Sequence, residues 1–274
     1  MATLSVFISQ VLVSLLVLLA TGPLGTSPQA PAASQAQTAA PGQTTPKATE
    51  LEGAWHLVPS SRTGQQATQV MLLADGFFTV AQFDKAGKKF MGTYGGTYRL
   101  TNGKLTATYE FNTFDSTKVG SSLTGSYTQK NGKWQIQGVN GAGTTPLAWE
   151  KMPAQNTNSP LNGAWRISHR EGQDGQMNAM VPGPRKTIKV LSSDRFQWIA
   201  FNSATGGFFG TGGGTYTAQN GKYTEHLEFF SRDPNRVGMA LSFNFAMKDG
   251  NWHHSGLSST GNKINEIWQR LSKQ

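Results

Sequence analysis

His226, Glu228, His254 and Glu266, in the C-terminal third of the chain, are residue types from which an acid–base pair, a metal site or the polar wall of a pocket can be built. All four fall in stretches with strand character. On Lys222–Phe230, alternation puts Thr224, His226, Glu228 and Phe230 on one face and Glu225, Leu227 and Phe229 on the other. Glu225 and Glu228 therefore diverge and cannot flank one bond as a glycosidase carboxylate pair must. On Trp252–Ser258, Trp252 and His254 share a face while His253 points away, so the adjacent histidines are no chelating pair. Glu266, Trp268 and Arg270 alternate to one side of the last stretch.

Which face is inner follows from a repeat. Leu51-Glu52-Gly53-Ala54-Trp55 recurs as Leu161-Asn162-Gly163-Ala164-Trp165, and Gly92–Tyr98 recurs as Gly210–Tyr216. Asn-Gly-Lys follows each at the same distance, Asn131–Trp134 matches Asp249–Trp252, and Trp149 matches Trp268. A period of about 110–119 residues is too long for a solenoid and marks two whole domains. Trp134 and Trp252 match, which points to a core role, and Ile136 stands where His254 does, so His254 is expected inside. Thr108 and Glu110 stand where His226 and Glu228 do. The glutamate retained in both copies, beside a histidine only in the second, predicts an inward cluster of His226, Glu228 and His254, with Glu266 on the same interior. Trp198, Trp252 and Trp268 would add apolar surface. Three readings of this cluster stand side by side: a satisfied buried network, the polar wall of a ligand pocket, or a metal or acid–base site.

The elements that must position these residues are short strands. Asp75-Gly76, Asn102-Gly103, Asn131-Gly132, Asn220-Gly221 and Asp249-Gly250 are hairpin signals, since type I′ turns need positive φ at both central residues. Alternating runs such as Phe196–Phe201 and Leu241–Phe245 lie between them, and the second copy holds no helical period over three turns. Sequential hairpins without helices imply an all-β chain, with about eight strands per copy closed into up-and-down antiparallel barrels that leave no edges. The Gly210–Gly214 run lacks the Lys-Ser/Thr of a phosphate loop and reads as a bulged strand. Arg232–Arg236 reads as a turn. Glu171–Lys186, with Met177 and Met180, is longer than its counterpart near Ser60–Val70 and would cap a barrel mouth or form a surface excursion.

Gly-x-Trp on the first strand, followed about a hundred residues later by an aromatic and a basic residue on the last, resembles the calycin signature of lipocalins, fatty-acid-binding proteins and their relatives. The second copy supplies Gly163, Trp165, Trp268 and Arg270, and the first Gly53, Trp55, Trp149 and Lys151. The second copy, with GGGTY, NGKYTEH, WHHSGLSS and EIWQR, looks like secreted bacterial lipocalin-like domains of unassigned function. The resemblance implies a barrel and a cavity in each copy. It also implies a basic side chain stacked on the tryptophan at one end: Lys151 with Trp55, and Arg270 with Trp165.

Leu4–Ala20 is an apolar run ending at Thr21-Gly22-Pro23, like a secretory signal segment, although no Lys or Arg precedes it. The expected organisation is a signal-like segment over 1–24, a Pro/Ala/Thr/Gln-rich disordered linker over 25–49, one barrel over 50–153 and a second over 160–274. Export to the periplasm or medium follows, or a membrane tether if the segment is retained. With cleavage no stable membrane insertion is expected; self-association stays open.

The 274 residues include no cysteine, which excludes disulfides and thiolate metal sites. The formal charge of +9 is scattered rather than clustered, so nucleic acid is not an expected partner. The expected function is binding of a small, partly polar or aromatic molecule in the second barrel, without a cofactor. Catalysis by the His/Glu set and a structural or adhesion role are the alternatives, and ligand identity is not written in the sequence.

Overall fold

The computed structural model describes residues 51–58, 67–130, 133–137, 147–154 and 158–271. The expected signal segment, the linker and the Asn131-Gly132 turn lie outside them. The first unit runs β1 (Gly53–Leu57), β2 (Thr68–Ala74), β3 (Phe77–Asp84), β4 (Lys89–Thr101), β5 (Lys104–Asn112), β6 (Ser122–Lys130), β7 (Lys133–Gln137) and β8 (Leu147–Lys151). Each strand pairs antiparallel with the next and β8 returns to β1, closing an eight-stranded barrel.

The second unit comprises β9 (Gly163–Glu171), β10 (Met177–Ala179), β11 (Arg185–Ser192), β12 (Arg195–Asn202) and β13 (Gly207–Gln219). It continues through β14 (Lys222–Phe230), β15 (Ala240–Lys248), β16 (Asn251–Leu257) and β17 (Lys263–Arg270). Pairing of β17 with β9 closes a second eight-stranded ring, and the short β10 is added along the far end of β9. Among the described residues no helix is long and apolar enough to cross a membrane.

The turn chemistry follows the sequence. Asp75, Asn102, Asn220 and Asp249 have φ between 49° and 51°, each followed by a glycine at 73–75°, the two-residue geometry that Asx-Gly tolerates best. Each barrel bends at a bulge, between Gly95 and Gly96 in the first and Gly213 and Gly214 in the second. Glycine is required there: a Cβ at Gly214 would collide with the carbonyl oxygen of His226. Asp233 caps a single 3-10 turn at Pro234–Arg236, so that segment is a turn as expected.

The outer faces of the two barrels meet in a second core. Val70, Leu72, Phe83 and Phe111 of the first cluster with Ile188, Val190, Phe201 and Phe229 of the second. Repeat mates cross over: Phe83 lies 4.7 Å from Phe229 and Phe111 5.0 Å from Phe201, as expected when like surfaces pack about a local twofold. Polar contacts frame the seam. Glu110 pairs with Lys186 at 2.8 Å, Glu228 with Lys85 at 2.9 Å, and Gln197 donates its amide to Thr93 Oγ1 at 2.9 Å. Asp75, at the first hairpin turn, accepts the Ala164 N–H at 3.0 Å and pairs with Arg270 at 3.0 Å.

A seam of this kind makes the barrels one cooperative unit. Urea unfolding followed by tryptophan fluorescence should show one transition. Phe83→Ala or Phe229→Ala should each cost about 3–5 kcal/mol, and the double variant less than their sum because the rings touch. Two separated transitions in the parent protein would contradict the shared core.

Candidate functional site

The expected cluster divides between the two sides of the barrel wall. His254 and Glu266 face the interior of the second barrel, with 2% and 5% exposure, together with the fully buried Trp252 and Trp268. His226 does not join them: it is exposed on the outer surface. Glu228 lies in the seam, 2.7 Å from Arg195 and 2.9 Å from Lys85 of the other barrel. Burial alone would raise its pKa, but the two cations outweigh it and hold the carboxyl below its usual value. Trp198 is half-buried, with its ring 5.7 Å from Phe230 and the Arg232 guanidinium over it.

The face of β14 is therefore opposite to the expectation. Tyr223, Glu225 and Leu227 point inward. At the bulge, Glu228 and Phe229 both face the seam before Phe230 returns to the interior. The repeated glutamate misled the assignment because its shared role lies between the barrels. Glu110 and Glu228 each reach a lysine of the other barrel.

Two residues absent from the expected set complete the interior. Lys189 and Glu225, 7% and 4% exposed, pair at 2.7 Å, and the Tyr223 hydroxyl donates to the same carboxylate oxygen at 3.0 Å. The rings of Tyr223, Phe243, Trp252 and Trp268 surround the ammonium at 5.0–5.7 Å, within the range of cation–π attraction. A lysine inside the apolar run Ile188–Leu191, where the first copy has Met71, was the available signal.

Glu266 forms the second half of the network. It accepts from Arg170 at 2.8 Å and from the Trp268 indole at 3.1 Å, and lies 3.5 Å from His254 Nδ1. Burial would raise its pKa, yet the adjacent His254, with Arg170 and Lys189, brings it to about 2. For His254, burial and the nearby Lys189 hold the pKa below 6.5, so the imidazole is neutral at neutral pH. Among the described residues, no group of three or more His, Cys, Asp or Glu is placed to hold a metal ion.

Strand register gives each member of this network a counterpart in the first barrel. Lys189, Glu225, His254 and Glu266 stand where Met71, Ala107, Ile136 and Leu147 stand. Those four residues line a cavity of about 50 Å³ inside the first barrel. Trp134 and Trp149 line it too, and their buried indole N–H groups have no acceptor among the described residues. Trp252 also leaves its indole unpaired among the described residues, and there the Lys189 ammonium lies 5.1 Å from its ring. At the barrel ends, Lys151 lies 5.4 Å from the Trp55 ring centre and Arg270 5.2 Å from that of Trp165.

Removing one partner of a buried pair strands the other charge. Lys189→Met should cost about 3–5 kcal/mol, and Lys189→Met with Glu225→Ala, the first barrel's own pair, should regain most of that in urea unfolding. In acid, His254 contributes its full stability above pH 6.5 and loses it as pH falls below that value, because the unfolded chain binds the proton first. Glu266 contributes fully above its unfolded 4.5 and loses this toward about 2. His254→Ile should flatten stability between pH 6.5 and 4.5 and also shrink the lower limb, because His254 is the first of the groups that hold Glu266 down. An unchanged profile would refute this assignment.

The second barrel, residues 160–274, matches the model of a domain of unknown function (DUF4488). No curated protein matches the chain. A lipocalin-like protein from Bacteroides uniformis is similar at 14% identity, over 41% of this chain and 100% of its own, with a TM-score of 0.29. An uncharacterized protein from Saccharomyces cerevisiae is similar at 9% identity, over 80% of this chain and 98% of its own, with a TM-score of 0.39. The strand order and closure stand independently of these likenesses: the chain is a tandem of two eight-stranded up-and-down antiparallel barrels.

Proposed function

We propose that the chain is an exported, non-catalytic binding protein. Its interior site is in the first barrel and takes a small apolar molecule bearing one hydrogen-bond acceptor. The observation that carries this reading is the pair of buried indole donors, Trp134 and Trp149, on residues that line the cavity and with no acceptor among the described residues. A buried donor left unpaired costs about 1–3 kcal/mol, so a guest's carbonyl or ether oxygen gains what the protein alone forgoes. In the second barrel Glu266 accepts from Trp268, whereas the matching Leu147 cannot accept from Trp149. A cavity of about 50 Å³ holds only the leading end of such a guest. Leu57, Leu123 and Leu147, only partly buried against the same core, offer apolar surface for the remainder.

The network in the second barrel favours a structural role there, because its side chains occupy the space a ligand would need. Export rests on the apolar run Leu4–Ala20 and the helix breakers behind it.

A series of 2-alkanones from butanone to octanone, against the matched alkanes, tests the interior site by calorimetry and tryptophan fluorescence. The ketones should bind more tightly than the alkanes. Trp134→Phe should weaken the ketones by about three- to tenfold, one net hydrogen bond, and leave the alkanes unchanged. Ala107→Leu should fill the cavity and abolish binding. Equal affinity for ketone and alkane, or binding unaffected by Ala107→Leu, would overturn the proposal.

A further inference from the structure

A larger space lies outside both barrels. A cleft of about 580 Å³ opens between them, within the roughly 300–1,000 Å³ range of small-molecule sites. One wall is the first hairpin turn and β4 of the first barrel, including Phe77, Tyr98 and Arg99. The other is β9, the start of β11 and the segment joining β10 to β11. That joining segment belongs to the long excursion Glu171–Lys186. It does not cap a barrel mouth as one of the two expectations had it; it brings Met180 and Val181 to the cleft instead. β10 anchors it by pairing with β9, and the Met180 N–H donates to the Ser168 carbonyl at 2.7 Å. Val181 is nonetheless 89% exposed and Met180 41%, an apolar pair at the rim of a cleft lined by both charged and apolar side chains.

The charge balance of the cleft is one-sided. Its lining includes five cations, Arg99, Arg166, Arg170, Arg185 and Lys186, against Asp75 and Glu110. Both acids are already engaged, Glu110 with Lys186 and Asp75 with Arg270. Arg170 is held by Glu266. Three guanidiniums then have no carboxylate among the described residues. Arg166 donates to the neutral Gln269 side chain at 2.6 Å, and Arg185 stacks on the Phe209 ring at 4.3 Å. Arg99 makes no hydrogen bond or ion pair among the described residues. Guanidinium forks match planar oxyanions in a way that lysine does not, and here they stand beside Phe77, Ile167 and Ile188.

We propose that this cleft is a second binding site, for a small amphiphilic oxyanion. The charged head is held by Arg99, Arg166 and Arg185, and the apolar body lies under Met180 and Val181. The methionine and the exposed valine supply an adaptable cover, so the site selects for head-group charge more than for body shape. This site is independent of the first-barrel cavity: the two share one residue, Tyr98, whose backbone sits in the barrel wall between them.

Two fluorescent probes of one skeleton test it: 8-anilinonaphthalene-1-sulfonate, which carries an oxyanion, and N-phenyl-1-naphthylamine, which carries none. The sulfonate should bind the whole protein with one site at least about tenfold more tightly than the neutral probe. Arg99→Gln with Arg185→Gln should weaken the sulfonate by about tenfold or more and leave the neutral probe unchanged. Both residues are exposed, so the thermal midpoint should not move; Val181→Asp, which puts a carboxylate of like charge into the apolar cover over the probe's body, should weaken the sulfonate in the same direction. Ala107→Leu should leave sulfonate binding intact, which separates failure here from failure of the first-barrel site. Equal affinity for the two probes, or sulfonate binding indifferent to both the arginine pair and Val181→Asp, would overturn the proposal.

Discussion

The packing of one barrel wall against the other constrains everything else in this chain. Closing a sheet into a barrel normally leaves its outer face to water, and strands of that kind alternate between apolar and polar residues. Here β2, β3, β11 and β12 are largely buried on both faces, because the outer faces of the two barrels bury one another around Phe83, Phe111, Phe201 and Phe229. The seam fixes the relative placement of the barrels. It engages Glu110 and Glu228 as brackets, and it forms the cleft along its edge.

With the walls committed, the interiors have diverged. At four matching positions the first barrel has Met71, Ala107, Ile136 and Leu147, and the second has Lys189, Glu225, His254 and Glu266. Buried charges are tolerated only when paired and hydrogen-bonded. The second barrel meets that condition with two linked ion pairs and four rings around the lysine. The first barrel needs no such network and keeps an open space, with two indole N–H groups left over. The two copies thus differ in their interiors, an ion-paired one in the second barrel and one lined by apolar side chains around a small cavity in the first.

Much of this was legible in the residues. Asx-Gly pairs placed the turns, the repeat pointed to two barrels, and the match of Trp134 with Trp252 turned His254 inward. What failed was the face of β14. Alternation decides which residues share a side but not which side is inner, and the usual arbiter, apolar against polar, is lost where the outer face is also buried. Phe229 is as buried as Leu227 although they face opposite ways. The bulge at Gly213 and Gly214 also breaks the period just where Glu228 sits. Lys189 was missed because a lone lysine in a strand reads as solvent-facing. Only its pairing with Glu225, 36 residues later, makes it an interior residue.

The central claim is that the two interiors differ, open in the first barrel and filled in the second. Crystals pressurised with xenon, which enters dry apolar cavities of this kind, test it directly. A xenon atom should appear inside the first barrel beside Ala107, Trp134 and Trp149, with none among Lys189, Glu225 and His254. Xenon inside the second barrel, or an empty first barrel, would contradict it.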